Sequence, residues 1–181
     1  MSLKNTKVLI LNAGYGQPPQ SKGSLNHSLS IEIEKYLKQK GHETKITHMD
    51  QGYDVKDEVS KLDWADVIIL QTPTWWLGLP GQAKTYIDLV LSEYFRIPNK
   101  KEGKKFMVSC TFACNEEALY DPNSAYQGLG PDQVYWTVYQ SFFYSGIGKL
   151  PIVAFNDASN PNFNFDEAVS KLHSHLDKVF Q

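Results

Sequence analysis

The sequence predicts a doubly wound α/β domain, a parallel sheet with helices on both faces. Two observations carry this. Short runs of apolar, β-branched residues alternate with segments of helical period. In addition, the runs are apolar at every position rather than every second one, as strands buried on both faces require. At 181 residues the chain has the length of one domain, with no linker, repeat or low-complexity stretch to divide it.

Val8-Leu9-Ile10-Leu11 reads as the first strand. Leu25, Leu29, Ile33, Tyr36 and Leu37 then recur at helical spacing, and Gly41 ends that helix. Thr44 to Thr47 supplies a second strand, and Val67-Ile68-Ile69-Leu70 a third that Pro73 stops. Asp54, Asp57 and Glu58 read as a solvated helix start. Ala83, Tyr86, Ile87, Val90, Leu91 and Tyr94 form an apolar stripe beginning just after Pro80-Gly81. Phe106 to Cys110 is a fourth strand, and Val134, Val138 and Phe142 mark a helix that ends near Gly146. Pro151 to Phe155 is a fifth strand, and Phe165, Val169, Leu172, Leu176 and Val179 close the chain as a helix.

Composition narrows the function. Lys plus Arg total 18 and Asp plus Glu total 20, a net charge of −2 that leaves no basic footprint for nucleic acid. The chain runs straight into Thr6 to Leu11 without a small-residue cleavage site, and no apolar run approaches the ~18 residues of a membrane span. A soluble, reduced, cytoplasmic protein is the expectation. Cys110 and Cys114 are not spaced as a redox pair and read as packing residues. The five histidines show no metal-ligand spacing. Aromatics, by contrast, make up 13% of the chain, enough to wall a site for a flat ligand as well as fill a core.

In a doubly wound sheet ligands sit beyond the carboxyl ends of the strands, so the segments after each strand matter most. After the first come Asn12-Ala13-Gly14-Tyr15-Gly16 and Pro18-Pro19-Gln20, then Ser21, Lys22, Gly23, Ser24, Leu25 and Asn26 into the helix. Neither the dinucleotide fingerprint nor the P-loop spacing is complete. A small polar cluster at a helix N-terminus nonetheless offers free N–H groups to a phosphate; the plainer reading is a cap by Ser24. After the third strand, Pro73-Thr74-Trp75-Trp76-Leu77-Gly78 places two indoles in a rigid loop, where they hold a planar ring or divide between core and interface. After the fourth, Thr111, Phe112, Ala113 and Cys114 offer donors to the same ligand. Tyr126 to Gly130, with Gly128 at its centre, is either a pocket cover or a plain turn.

Three of these segments together resemble the modulator of drug activity B family, flavin-dependent NADPH:quinone reductases related more distantly to the DT-diaphorase type. The resemblance rests on Ser21 to Asn26, on Pro73 to Pro80, and on Gly103-Lys104-Lys105-Phe106 through Ala113. Tyr53 to Lys56, Trp64 to Asp66, Lys84-x-Tyr86-Ile87-Asp88 and Gly128-Leu129-Gly130 extend it over nearly the whole chain. It implies a flavodoxin-like five-stranded sheet of order 2-1-3-4-5, a homodimer, and FAD as cofactor with FMN as the lesser option. By position it implies Ser21 to Asn26 on the diphosphate, with Pro73, Thr74, Trp75, Trp76 and Leu77 on one side of the isoalloxazine. Thr111, Phe112, Ala113 and Cys114 would lie on another side, and Tyr126 would donate to the acceptor's carbonyl beside Gly128. The implied chemistry is two-electron, ping-pong transfer of hydride from NADPH to a quinone-like acceptor. The alternative is a flavodoxin-type electron carrier, against which the weak net charge speaks. The family carries a longer, tyrosine-bearing insertion where this chain has only Tyr94 to Lys104; Tyr94 is expected to replace part of that cofactor cover.

Overall fold

A computed structural model describes residues 5–16 and 21–181; Pro18 to Gln20 of the expected anion loop lie outside the described residues. The chain runs β1 (Lys7–Asn12), α1 (Ser24–Gln39), β2 (Glu43–His48), α2 (Val55–Trp64), β3 (Val67–Pro73) and α3 (Gly81–Tyr86). It continues through a π-helical turn (Ile87–Leu91) into α4 (Ser92–Arg96), then β4 (Lys105–Thr111), α5 (Glu116–Tyr120), α6 (Pro131–Val134) and α7 (Trp136–Tyr144). β5 (Gly148–Lys149), β6 (Val153–Phe155) and α8 (Phe165–Val179) complete it.

All pairings are parallel, in the order β2-β1-β3-β4-β5, with β6 also on β4. This is the flavodoxin-like order that the family resemblance implies. The apolar runs are buried on both faces, and each strand divides its residues between two cores. Leu9, Leu11, Ile68, Leu70, Phe106 and Val108 pack on one face with Leu62, Val90 and Phe142. Val8, Ile10, Val67, Ile69 and Met107 pack on the other with Leu29, Ile33, Leu172 and Leu176. Among the described residues no helix is long and apolar enough to cross a membrane.

Three expectations need correction. The predicted strand from Pro151 to Phe155 is shorter, Val153–Phe155, and a two-residue strand, Gly148–Lys149, precedes it at the same sheet position. β5 pairs with Lys105 and Phe106, and β6 with Ser109 to Thr111, so three residues on the outer strand oppose two on β4. Pro151 sits in this bulge because it has no N–H for the ladder. Glu58 is not solvated. Asp54 does cap α2, accepting from the Lys56 and Asp57 N–H groups at 2.9 and 3.0 Å. Glu58, one turn on and four residues before buried Leu62, instead faces inward. There its carboxylate accepts from the hydroxyls of Thr47 (3.0 Å) and Tyr86 (2.9 Å) and from Lys61 Nζ at 2.5 Å. Tyr94 is also interior, 1% exposed, where burial pushes its phenol up to about 12. It is part of the core and covers no surface ligand.

Candidate active site

The cleft lies beyond the carboxyl ends of β1, β3, β4 and β6, and encloses about 960 Å³. That is the upper end of the range for small-molecule sites and leaves room for a dinucleotide-sized ligand. One wall is Ser21, Lys22, Gly23, Ser24, Leu25 and Asn26. The reading of Ser24 as a cap does not hold: the N-cap is Gly23, at φ 71°, with no side-chain hydrogen bond and no acid in the first turn of α1. The first N–H groups and the positive end of a 16-residue helix therefore face the cleft uncompensated by any resident carboxylate. Gly23 is required here because a Cβ would stand 2.9 Å from the Tyr15 carbonyl carbon and 3.0 Å from the Gly16 nitrogen.

Pro73, Thr74 and Trp75 form the facing wall. The Thr74 N–H donates to the Thr111 carbonyl (2.8 Å), and its hydroxyl meets that of buried Tyr135 at 2.8 Å. Trp75 and Gly78 exchange two backbone hydrogen bonds of 3.0 Å around a two-residue turn. Its tip, Trp76 at φ 47° and Leu77 at φ 59°, holds two bulky residues in the left-handed region that such turns reserve for glycine and asparagine. Backbone strain of that kind, of order 1 to 3 kcal/mol per residue, persists where the surrounding structure enforces it and concentrates at functional sites. Trp75 packs edge-on to Tyr15, with centroids 5.7 Å apart. Trp76 points wholly into solvent and Leu77 is 45% exposed, so both stand at the rim and outside the cleft lining.

Thr111 and Ala113 line the third side, but Phe112 and Cys114 do not. Phe112 is buried; its N–H is taken by the Phe155 carbonyl at 2.8 Å and its ring meets Tyr126 and Tyr135 edge-on. Cys114 is half-buried, and its carbonyl accepts from Asp157 N at 2.8 Å. Tyr126 lies behind this segment, also outside the lining. Its hydrogen bond to Cys114, with partial burial, pushes the phenol up to about 12. Gly128, at φ 76°, closes the same loop by donating to the Asp121 carbonyl at 3.1 Å.

Two groups of residues escaped the sequence reading. Ala158, Ser159 and Pro161, in the turn after β6, form the fourth side. The Ala-Ser-Asn-Pro cluster after the last strand was the available signal. Beneath the cleft runs a buried polar chain. Ser109 Oγ donates to Gln71 Oε1 (2.6 Å), Gln71 Nε2 to Asn26 Oδ1 (2.8 Å), and Asn26 Nδ2 to Thr111 Oγ1 (3.2 Å). It ties β3 and β4 to the first turn of α1. Gln82 Nε2 steadies the opposite side of the loop, donating to the Ala13 carbonyl at 3.3 Å. No group of three metal-ligating side chains occurs among the described residues.

Comparison with known proteins agrees with this geometry. The family described as having a flavodoxin-like fold matches residues 6–176. The NADPH:quinone oxidoreductase MdaB of Haemophilus influenzae is 31% identical, over 96% of this chain and 98% of its own. Among solved structures, general stress protein 14 of Treponema denticola in complex with FMN superposes with a TM-score of 0.72 at 16% identity, covering 97% of this chain and 99% of its own. An NADPH-quinone reductase from P. pentosaceus gives 0.70 at 17%, covering 96% and 97%. At those identities the two structures speak for the fold alone. The family match and the MdaB identity, both over nearly the full chain, mean that this protein belongs to the flavodoxin-like fold family and, within it, to the modulator of drug activity B group.

Proposed function

We propose that the chain is a flavin-dependent NAD(P)H:quinone oxidoreductase that holds FAD in this cleft. The observation that carries the reading is the joining, in one cleft, of an uncapped helix N-terminus to a rigid tryptophan-bearing wall. The first suits a diphosphate, the second the edge and face of a flat ring. The cleft's volume of about 960 Å³ has room for the adenosine half, which favours FAD over FMN. A bound flavin supplies an acceptor for hydride from NADPH and a donor of two electrons to a quinone.

The chain's own residues do the rest. The N–H groups at the start of α1, with Ser21, Lys22 and Ser24, bind the diphosphate. Pro73, Thr74 and Trp75 pack against the ring system, and Trp76 and Leu77 form the rim where an acceptor enters. Thr111 and Ala113 orient the other edge, braced from behind by Phe112 and Cys114. Tyr126, partnered with Cys114 and outside the cleft lining, braces the same wall from behind in the loop that Gly128 shapes, and does not reach an acceptor in the cleft from there. Heating the purified protein should release a flavin with the mass of FAD, and the holoenzyme should consume NADPH with menadione. An FMN mass refutes the FAD assignment. Flavin binding with negligible turnover selects the electron carrier instead.

We further propose a cytoplasmic homodimer. Leu89, Phe95, Trp136, Phe143 and Tyr144 are all large, apolar and at least 45% exposed, on α7 and the continuous α3–α4 helix. Phe95 stacks on Tyr144 across a groove of about 590 Å³ between these elements. So much apolar surface on one face is what a self-complementary interface leaves on a single chain. Sedimentation at micromolar concentration should give a dimer; a monomer refutes it.

A further inference from the structure

Asn12 ends β1 with its amide fully engaged and 1% exposed. Its Oδ1 lies 2.8 Å from the Gly14 nitrogen, while Nδ2 lies 2.9 Å from His48 Nδ1 and 3.4 Å from His27 Nδ1. The Gly14 N–H is a donor whatever the pH, so the atom facing it must be the amide oxygen. The amide nitrogen, which only donates, then faces both imidazoles. Each must offer an unprotonated Nδ1 and carry any proton on Nε2. One side chain thus reads the charge of two histidines and passes the result to the backbone of the anion loop.

Gly14 is wedged where that reading matters. A Cβ on it would meet Asn12 Oδ1 at 2.8 Å, Asn26 Cβ at 3.0 Å and the carbonyl oxygen of N-cap Gly23 at 3.2 Å. Protonating either histidine at Nδ1 sets N–H against N–H. Turning the amide to accept from the imidazolium sets its NH₂ against the Gly14 N–H instead. Either arrangement loses a hydrogen bond and pushes Gly14 toward the start of α1.

We infer that Asn12 is a positioning residue for the nucleotide-binding loop and holds it only while His27 and His48 are both neutral. The grip on a bound cofactor therefore weakens on acidification. The inference rests on the flavin reading above. The two rings lie 4.7 Å apart, so a charge on one opposes a charge on the other. Burial and then the charge of His27 hold the His48 imidazole below its ordinary value of 6.5, while the carboxylates of Asp50 and Glu34 pull the other way. The grip is thus lost in the acid range, as His48 takes up a proton.

The test is FAD affinity, from flavin fluorescence, between about pH 8 and about pH 5. FAD is the probe because its diphosphate has no second ionisation, whereas a phosphate monoester titrates near 6. Wild type should lose about tenfold in affinity over this range. The double variant His27→Gln/His48→Gln, which keeps acceptors but cannot be protonated, should lose less than about threefold. An equal loss in both proteins, or none in wild type, overturns the inference. If FAD fails to bind even near pH 8, the flavin reading has failed, and the Gly14 amide of the free protein decides the switch. Its NMR shift should titrate with the His48 ring in wild type and stay fixed in the double variant; a Gly14 signal that ignores pH overturns the inference there too.

Discussion

Gly23→Ala is expected to abolish flavin retention, weakening FAD binding by about a hundredfold or more, and to lower stability by about 2–4 kcal/mol. Two costs combine. An L-residue at φ 71° has its Cβ too near its own carbonyl, about 1–2 kcal/mol. The methyl would also press on the backbone of Tyr15 and Gly16 at 2.9 and 3.0 Å, which no side-chain rotation relieves. Gly146→Ala separates the two, because Gly146, at the end of α7, shares a left-handed φ of 83° but has nothing within 4 Å of its Cβ position. It should cost only about 1 kcal/mol in urea denaturation and leave flavin binding intact. Equal effects at both sites would show that the close approach of Gly23 to Tyr15 is irrelevant.

Gln71→Leu should destabilise the chain by about 2–4 kcal/mol, because it leaves the Ser109 hydroxyl and the Asn26 oxygen buried with fewer partners. Gln71 and Ser109 are fully buried and Asn26 is 5% exposed, so water cannot readily replace the lost bonds. A double-mutant cycle with Ser109→Ala should give a coupling above about 0.5 kcal/mol, since the second substitution removes a hydroxyl already deprived of its acceptor. FAD affinity should fall as well, because Asn26 sits in the first turn of α1 and is held there by Gln71. Additive effects, or unchanged affinity, would mean that the chain of bonds does not act as one unit.

What the sequence disclosed follows from how each residue's neighbours act. β1, β3 and β4 were legible because burial on both faces demands an unbroken apolar run, and Val8 to Leu11 or Val67 to Leu70 have few other uses. The three walls of the cleft were legible for a related reason: their loops had to follow strands. Glu58 was not, since a carboxylate in a helical first turn reads as solvated until Thr47, Tyr86 and Lys61 arrive from elsewhere in the chain. Gln71 and Ser109 were hidden similarly, their partners being 45 and 38 residues away. Trp76 was legible as a loop residue, but its outward direction depends on a turn conformation that two bulky residues ordinarily avoid.

The bulge at Pro151 has a consequence for how copies of this chain meet in a crowded solution. An open sheet margin is a template for a foreign strand, and misassembly along it is a standing hazard for α/β proteins. Here that margin offers a ladder of two residues, a gap without an N–H at Pro151, and a ladder of three. The free Pro151 carbonyl is already occupied by His175 Nε2 at 3.1 Å. The opposite margin, β2, is longer, but Glu43 and Lys45 are exposed along it and would set charge against any apolar intruder. Neither side of the sheet can readily be extended by a stranger, so association is left to the helical faces.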